Sequence, residues 1–255
     1  MKRKELHLDE RVSREDFWET DQAKVTRPTF LKWVYEKKAS QVIWAMNNKE
    51  SEIDTRFFPT LEDCKQAILS MISPEETVSI PGTVTIRQLG LLKALEEQGN
   101  KVYDFWKAGL SAEEKNVIRR SSLTCDVLLT SANAVTMDGE IFNIDGSGNR
   151  VAAMIFGPKR VFVVVGGNKL VQDLPHAVYV TKNYSAPMGN KERDDTVNPC
   201  GKTGSCIDCK GVVRGCRVTV IVDYKPRRIQ DYYLFIVASS ELLCTIYSGD
   251  IFKGK

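Results

Sequence analysis

The run RVFVVVGG, residues 160–167, holds five consecutive apolar side chains between the cationic Arg160 and a pair of glycines. The run is far shorter than the roughly 20 residues that a membrane-spanning helix needs. Because it is apolar at every position, both of its faces must be buried. That pattern is typical of a strand inside a parallel sheet that helices cover on both sides.

Segments of strand and helix character alternate before this run. A helix is predicted from Thr60 to residue 71, since Asp63 lies three residues after Thr60 in a variant capping box. The next predicted segments are a strand at 77–80, a helix to 97 that Thr85 caps and Gly99 closes, a strand at 102–105, a helix to 121 that Ser111 and Glu114 cap, and a strand at 126–130. Such alternation predicts βαβ units. The expected fold class is α/β, with a mainly parallel sheet flanked by helices.

Shorter elements surround the run. The dipeptide Asp138-Gly139 favours a tight turn, so strands are predicted on either side of it, at 134–136 and 140–144. A helix is predicted at 149–156, where Gly157-Pro158 stops it. Two further strand-like runs occupy 218–222 and 232–237.

The N-terminal part of the chain has helical spacing. Apolar residues such as Trp33, Val42 and Met46 repeat at helical intervals over 13–48, and Trp18 and Trp44 add aromatic bulk. We expect an N-terminal helical segment, residues 1–48, to pack on one α/β domain, residues 49–255, which is an ordinary size for a single domain.

Composition excludes several classes of protein. The formal charge is 36 minus 33, or +3, which is too small to predict a nucleic-acid partner. The N-terminus lacks the apolar core of a secretory signal, and no apolar run is long enough to span a membrane. We therefore expect a cytoplasmic protein without nucleic-acid or membrane partners. Composition leaves a homo-oligomer open.

The stretch NPCGKTGSCIDCKGVVRGCR, residues 198–217, is the strongest chemical signal. Cys200, Cys206, Cys209 and Cys216 follow the pattern C-x5-C-x2-C-x6-C. A tight pair with two nearby outer cysteines is a four-thiolate set suited to an iron–sulfur cluster or, alternatively, to zinc. A disulfide-stapled loop is the other reading, but it needs an oxidising compartment, for which the sequence gives no support.

Two loops have a composition that suits an anion. The first, residues 79–85, contains Gly82, Thr83 and Thr85; the second, residues 143–149, contains Asp145, Gly146, Ser147, Gly148 and Asn149. Backbone amides and hydroxyls there can bind a phosphate or a carboxylate. Neither loop matches a Walker loop or a dinucleotide fingerprint. Well-capped turns without a ligand are equally compatible with both.

Three polar residues near the predicted strand ends are further candidates. Asn168 and Lys169 follow the buried run, where Lys169 can neutralise an anionic substrate. Glu140 is a candidate catalytic carboxylate. The alternatives are a solvated lysine and a solubilising glutamate beside a turn.

Three runs together resemble the LUD-domain, or lactate-utilisation, family in its cysteine-bearing branch. They are TSANAVTMDGEIFNIDGSGNR, FGPKRVFVVVGGNKLV, and NPCGKTGSCIDC continued by GCRVTVI, and the resemblance covers roughly residues 25–245. It implies a fold similar to ribose-phosphate isomerases, glucosamine-phosphate deaminases and CoA-transferases. It also implies a link to L-lactate oxidation with iron–sulfur partner proteins. The family's features fall on Gly82-Thr83, on residues 145–149 and 167–169, and on the four cysteines.

Three functions follow from these observations. The first is a metalloprotein in the oxidation of L-lactate or a similar small hydroxy acid, with the four-cysteine site beside an anion-binding cleft. The second is a non-catalytic assembly or regulatory partner braced by zinc. The third is a phosphate- or CoA-thioester-processing enzyme that uses Glu140 or Lys169.

Overall fold

The main sheet is parallel throughout. The computed structural model describes residues 21–192 and 197–239, and their side chains from residue 30 onward. Its six strands, in spatial order β1-β10-β7-β4-β2-β3, are β1 (Asp54–Phe58), β2 (Thr77–Ser79), β3 (Lys101–Tyr103), β4 (Val127–Thr130), β7 (Arg160–Gly166) and β10 (Asp231–Val237). The prediction of an α/β fold with a mainly parallel sheet is confirmed.

A second, smaller sheet has four strands in the order β8-β5-β6-β9. They are β5 (Ala134–Thr136), β6 (Ile141–Asp145), β8 (Leu170–Val171) and β9 (Val218–Val222). Strands β5 and β6 form the hairpin expected around Asp138-Gly139, and β9 pairs antiparallel with β6. The cysteine segment therefore leads into this smaller sheet.

Helices occupy most of the connections. They are α1 (Asp21–Asn48), α2 (Leu61–Ser70), α3 (Val84–Gln88), α4 (Leu91–Gln98), α5 (Ala112–Ser121), α6 (Asn149–Ile155), α7 (Leu174–Val180), α8 (Ala186–Glu192) and α9 (Cys200–Thr203). A π-helical turn, Thr181–Ser185, joins α7 to α8. Two of the three predicted N-caps are present, since the Thr60 hydroxyl accepts from the amide of Asp63 and Ser111 forms a capping box with Glu114. The prediction of an N-cap at Thr85 is wrong, because Thr85 lies inside the helix.

Strand β7 separates two hydrophobic cores because side chains alternate across a strand. Val161, Val163 and Val165 contribute to one core, which includes α1, α6 and the smaller sheet. Phe162 and Val164 contribute to the other, which includes α2, α3 and α4. All five side chains are fully buried, as the sequence predicts for the middle strand of a covered sheet.

The structure differs from the predictions at the helix after β2 and at β1. The helix after β2 begins at Val84 with Thr83 as its N-cap, and Gly90 at a φ of +67° divides it into α3 and α4. Thr85 is therefore a helical residue, and its hydroxyl accepts a hydrogen bond from Lys169. Strand β1 was not predicted at all, because DTRFF lacks the apolar alternation of the other strands.

Helix α1 packs through a narrower face than the sequence suggested. Ala39, Val42 and Met46 lie in the core, but Trp33 and Trp44 are 56% and 68% exposed. These two tryptophans are eleven residues apart, about three helical turns, so they share the outward face. The predicted helix over 13–20 and the residues 240–255 of the predicted main domain lie outside the described part of the chain.

Asp126 links β2 and β4 at their amino ends. Its carboxylate accepts hydrogen bonds from the amide and hydroxyl of Thr77, at 2.9 and 2.7 Å, and lies 2.7 Å from the Lys159 ammonium. The Lys159 contact and then the Thr77 hydrogen bonds lower the pKa of Asp126 from 3.8 to about 2. The ionised form is therefore the one that the native state favours.

We predict that Asp126→Asn lowers the free energy of unfolding by roughly 1 kcal/mol at about pH 7, the scale of one hydrogen-bonded carboxylate. Because the folded pKa is depressed, this contribution is present above pH 3.8 and is lost as the pH falls towards 2. Urea unfolding of both proteins across that acid range measures the difference, which should shrink as the pH falls. Asp138→Asn removes an exposed carboxylate and serves as the charge control; an equal loss in both variants would contradict the prediction.

Candidate active site

A cavity of about 470 Å³ opens at the carboxyl ends of the main sheet's strands. The chain passes from β2 outward to β3 and then returns to β4 on the other side of β2. Loops leaving β2 and β4 therefore diverge, and such a switch point is where open α/β sheets bind their ligands. The segments after β2, β3, β4 and β7 all contribute to the cavity wall.

The first predicted loop forms one side of the cavity. Gly82, Thr83 and Thr85 all line it. Gly82 has a φ of +64°, and a Cβ there would lie 2.9 Å from Cζ of Phe105. A larger residue would strain the turn and push into the aromatic ring, so this position requires glycine.

Lys169 brings a buried ammonium to the cavity. It lies in a 3-10 turn at the end of β7, Gly167–Lys169, and is 4% exposed. Its Nζ donates to the hydroxyls of Thr85 at 3.1 Å and Ser131 at 2.7 Å. These bonds fix the position of the charge, because they tie it to α3 and to the end of β4.

The second predicted loop is organised by Asp145. Its Oδ1 accepts from the amides of Ser147 and Gly148, both at 3.0 Å, while its Oδ2 accepts from Nε of Arg150 at 3.1 Å. The carboxylate is thus engaged in shaping the loop. Asp145, Gly146, Ser147 and Asn149 line the cavity, together with Arg150.

Two buried polar atoms on the cavity wall have no hydrogen-bond partner. They are Nδ2 of Asn149 and Oγ1 of Thr181, and both residues line the cavity. A buried polar group without a partner costs roughly 1–3 kcal/mol. Polar atoms of a ligand would remove this cost, because they would supply the missing partners.

The four cysteines of the predicted set surround a second, smaller cavity. Cys200, Cys206, Cys209 and Cys216 all line it, and its volume is about 20 Å³. All four are free thiols. Burial, and then the nearby sulfurs of the other three cysteines, raise the pKa of the Cys216 thiol.

Neighbouring polar groups contact two of these sulfurs. Nδ2 of Asn190 donates to Sγ of Cys200 at 3.1 Å, and the amide of Asp208 donates to Sγ of Cys206 at 3.4 Å. Within residues 21–192 and 197–239, however, no group of three or more His, Cys, Asp or Glu residues has an arrangement that could hold a metal ion.

The two cavities share a wall. Residues of both linings are Ala186, Asn190, Asn198, Gly215 and Cys216. The pairing of β6 with β9 explains this arrangement, because Asp145 lies opposite Val218 and its carbonyl accepts from the Arg217 amide at 3.0 Å. The end of β6, which starts the second loop, is therefore beside the end of the cysteine segment.

Three of the predicted site residues lie elsewhere. Glu140 does not line the cavity; its carboxylate accepts from the Thr136 hydroxyl at 2.8 Å within the β5–β6 hairpin. Gly148 and Asn168 are adjacent in sequence to lining residues but do not line the cavity themselves. Glu140 therefore has a local structural contact and no access to the other candidates.

Sequence reasoning missed several residues of the wall. Ser131 and Asn133 follow β4, so the strand-end rule that identified Lys169 could have found them. Arg150 carries no such signal, because its role depends on its pairing with Asp145. Thr181 and Ser185 bound the π-helical turn, an element that is frequent at functional sites but has no sequence signature.

No helix in the described part of the chain is long and apolar enough to cross a membrane.

No curated protein matches the sequence. A crystal structure of a DUF162-family protein from Deinococcus radiodurans is 12% identical, with a TM-score of 0.44 over 81% of this chain and 98% of that one. The model of the LUD domain matches residues 43–237, well over half of the sequence. The protein therefore belongs to the LUD-domain family.

Proposed function

We propose that this LUD-domain protein takes part in the oxidation of L-lactate or a similar small hydroxy acid, with a metal centre on Cys200, Cys206, Cys209 and Cys216. The observation that carries the proposal is the shared wall, in which Cys216 lines both the cysteine cavity and the larger cavity. A redox centre is useful only within short reach of its substrate.

The cysteine set suits a metal by its chemistry. Four free thiols around one small space are the usual donors of an iron–sulfur cluster, and zinc is the alternative. Gly204 and Gly211, both at positive φ with open space beside them, allow the segment to adjust around the bound group. An iron–sulfur cluster would supply electron transfer, with electrons leaving to an iron–sulfur partner protein.

The larger cavity suits the acid. The Lys169 ammonium would attract the carboxylate, and the unsatisfied Nδ2 of Asn149 would donate to one of the substrate's oxygens. Arg150 adds a second cationic group, though Asp145 already engages part of it. These residues bind and orient the acid so that it lies against the Cys216 side of the cavity.

The metal content of anaerobically purified protein tests the centre. We expect stoichiometric iron and sulfide. In Cys206→Ser, metal retention should fall at least about tenfold, since even changes behind the ligands commonly cost 10- to 100-fold in affinity. Elemental analysis and sulfide determination are the measurements.

Cys64→Ala is the matched control. Cys64 is buried in the hydrophobic core that includes α2, α3 and α4, so its substitution should leave the metal content unchanged. Stoichiometric zinc without sulfide, together with no turnover of hydroxy acids, would favour a structural brace instead. Protein that binds neither metal would contradict the proposed centre.

Binding of lactate tests the acid site separately. Lys169→Met should weaken L-lactate binding by about 10- to 100-fold, because a charge-assisted hydrogen bond contributes roughly 1.5–3 kcal/mol. Isothermal titration calorimetry measures the affinity, and thermal unfolding of the same sample shows that the variant is folded.

Lys93→Met provides the control, since the Lys93 side chain is 84% exposed on α4 and does not line the cavity. Unchanged lactate affinity in a folded Lys169→Met variant would mean that the acid does not bind at this ammonium.

A further inference from the structure

The larger cavity is much bigger than lactate. Its volume is about 470 Å³, within the range of roughly 300–1,000 Å³ for pockets that hold drug-sized ligands. Lactate displaces roughly 100 Å³, three to four times the volume of a water molecule at about 30 Å³. A substrate of that size would leave most of the cavity filled with water.

Part of the cavity wall is aromatic. Phe105 and Trp106 follow β3, the edge strand, and both line the cavity. Their rings are 6.3 Å apart and nearly perpendicular. Trp106 is 39% exposed, so part of its indole is open to a ligand.

Contacts with Arg87 and Asp104 fix the position of the Trp106 indole. The Arg87 guanidinium lies over the Trp106 ring, 4.6 Å from its centroid, and forms an ion pair with Asp104. The same Asp104 oxygen accepts from the Trp106 amide at 2.9 Å. Because these contacts hold the ring in place, the Trp106 indole is a preorganised surface on which a planar group of a ligand can stack.

The main sheet sets the distance between the strand ends that precede Lys169 and Trp106. Lys169 follows β7 and Trp106 follows β3, and these strands are three neighbour spacings apart in the order β7-β4-β2-β3. At about 4.8 Å per spacing, the strand ends are roughly 14 Å apart. The Lys169 side chain crosses part of this gap, since its ammonium reaches the Thr85 hydroxyl in α3, and a hydroxy acid with a ring at its far end can reach across the remainder.

We infer that the preferred substrate is a 2-hydroxy acid with a planar aromatic side group. Its carboxylate binds on the Lys169 side and its ring stacks on Trp106. This inference rests on the proposed acid site and adds a specificity-determining residue to it.

Calorimetric titration of the full chain with L-lactate and with L-phenyllactate tests the inference. Phenyllactate should bind at least about tenfold more tightly, on the scale of ring burial and stacking. Trp106→Ala should reduce the ratio of the two affinities by about tenfold, while Trp106→Phe should retain most of it. Trp44→Ala, which removes an exposed indole from α1, should leave the ratio unchanged.

The outcomes separate the two proposals. Equal affinities for the two acids would overturn the aromatic subsite and leave the acid site in place. If Trp106→Ala weakened both acids equally in a folded protein, the indole would have only a structural role and the inference would be wrong. Binding of neither acid would overturn the acid site and the aromatic subsite together.

Discussion

Strand β7 is paired in parallel on both sides, with β10 and β4, and its apolar side chains are buried between two cores. A strand with no solvated face has one register, because a one-residue slip would exchange the side chains between the cores. That register fixes where β7 ends relative to β4 and, through β4, relative to β2. The ammonium of Lys169 and the hydroxyls of Thr85 and Ser131 meet because the ends of β7 and β4, and the helix α3 that follows β2, are fixed relative to one another.

The smaller sheet fixes the position of the cysteine segment in the same way. Antiparallel pairing of β6 with β9 brings the loop that begins at Asp145 beside the segment that ends at Cys216. The helix containing the π-helical turn borders both cavities, since Asn190 lines each of them and donates to Cys200. Two motifs that are distant in sequence are thus neighbours because one strand pair and one helix border both.

The sequence was informative where one local rule governs the outcome. The apolar run of β7, the caps at Thr60 and Ser111, and the strand-end positions of Gly82 and Lys169 each follow from a few neighbouring residues. The sequence was uninformative where the position of a residue depends on which strands pair with each other. The aromatic wall at Trp106 and the shared boundary at Cys216 depend on which strands are adjacent, and a single sequence does not contain that information. The prediction for α1 was misleading because its tryptophans suggested burial, whereas Trp33 and Trp44 are exposed.

The close approach of Gly146 to Gly215 links the walls of the two cavities directly. A Cβ on Gly146 would lie 2.9 Å from the Gly215 carbonyl oxygen, and one on Gly215 would lie 2.5 Å from Oδ1 of Asn198. With main chain against main chain, no flexible side chain can absorb a displacement between them. A displacement of the cysteine segment at Gly215 would therefore be transmitted directly to the loop that begins at Asp145.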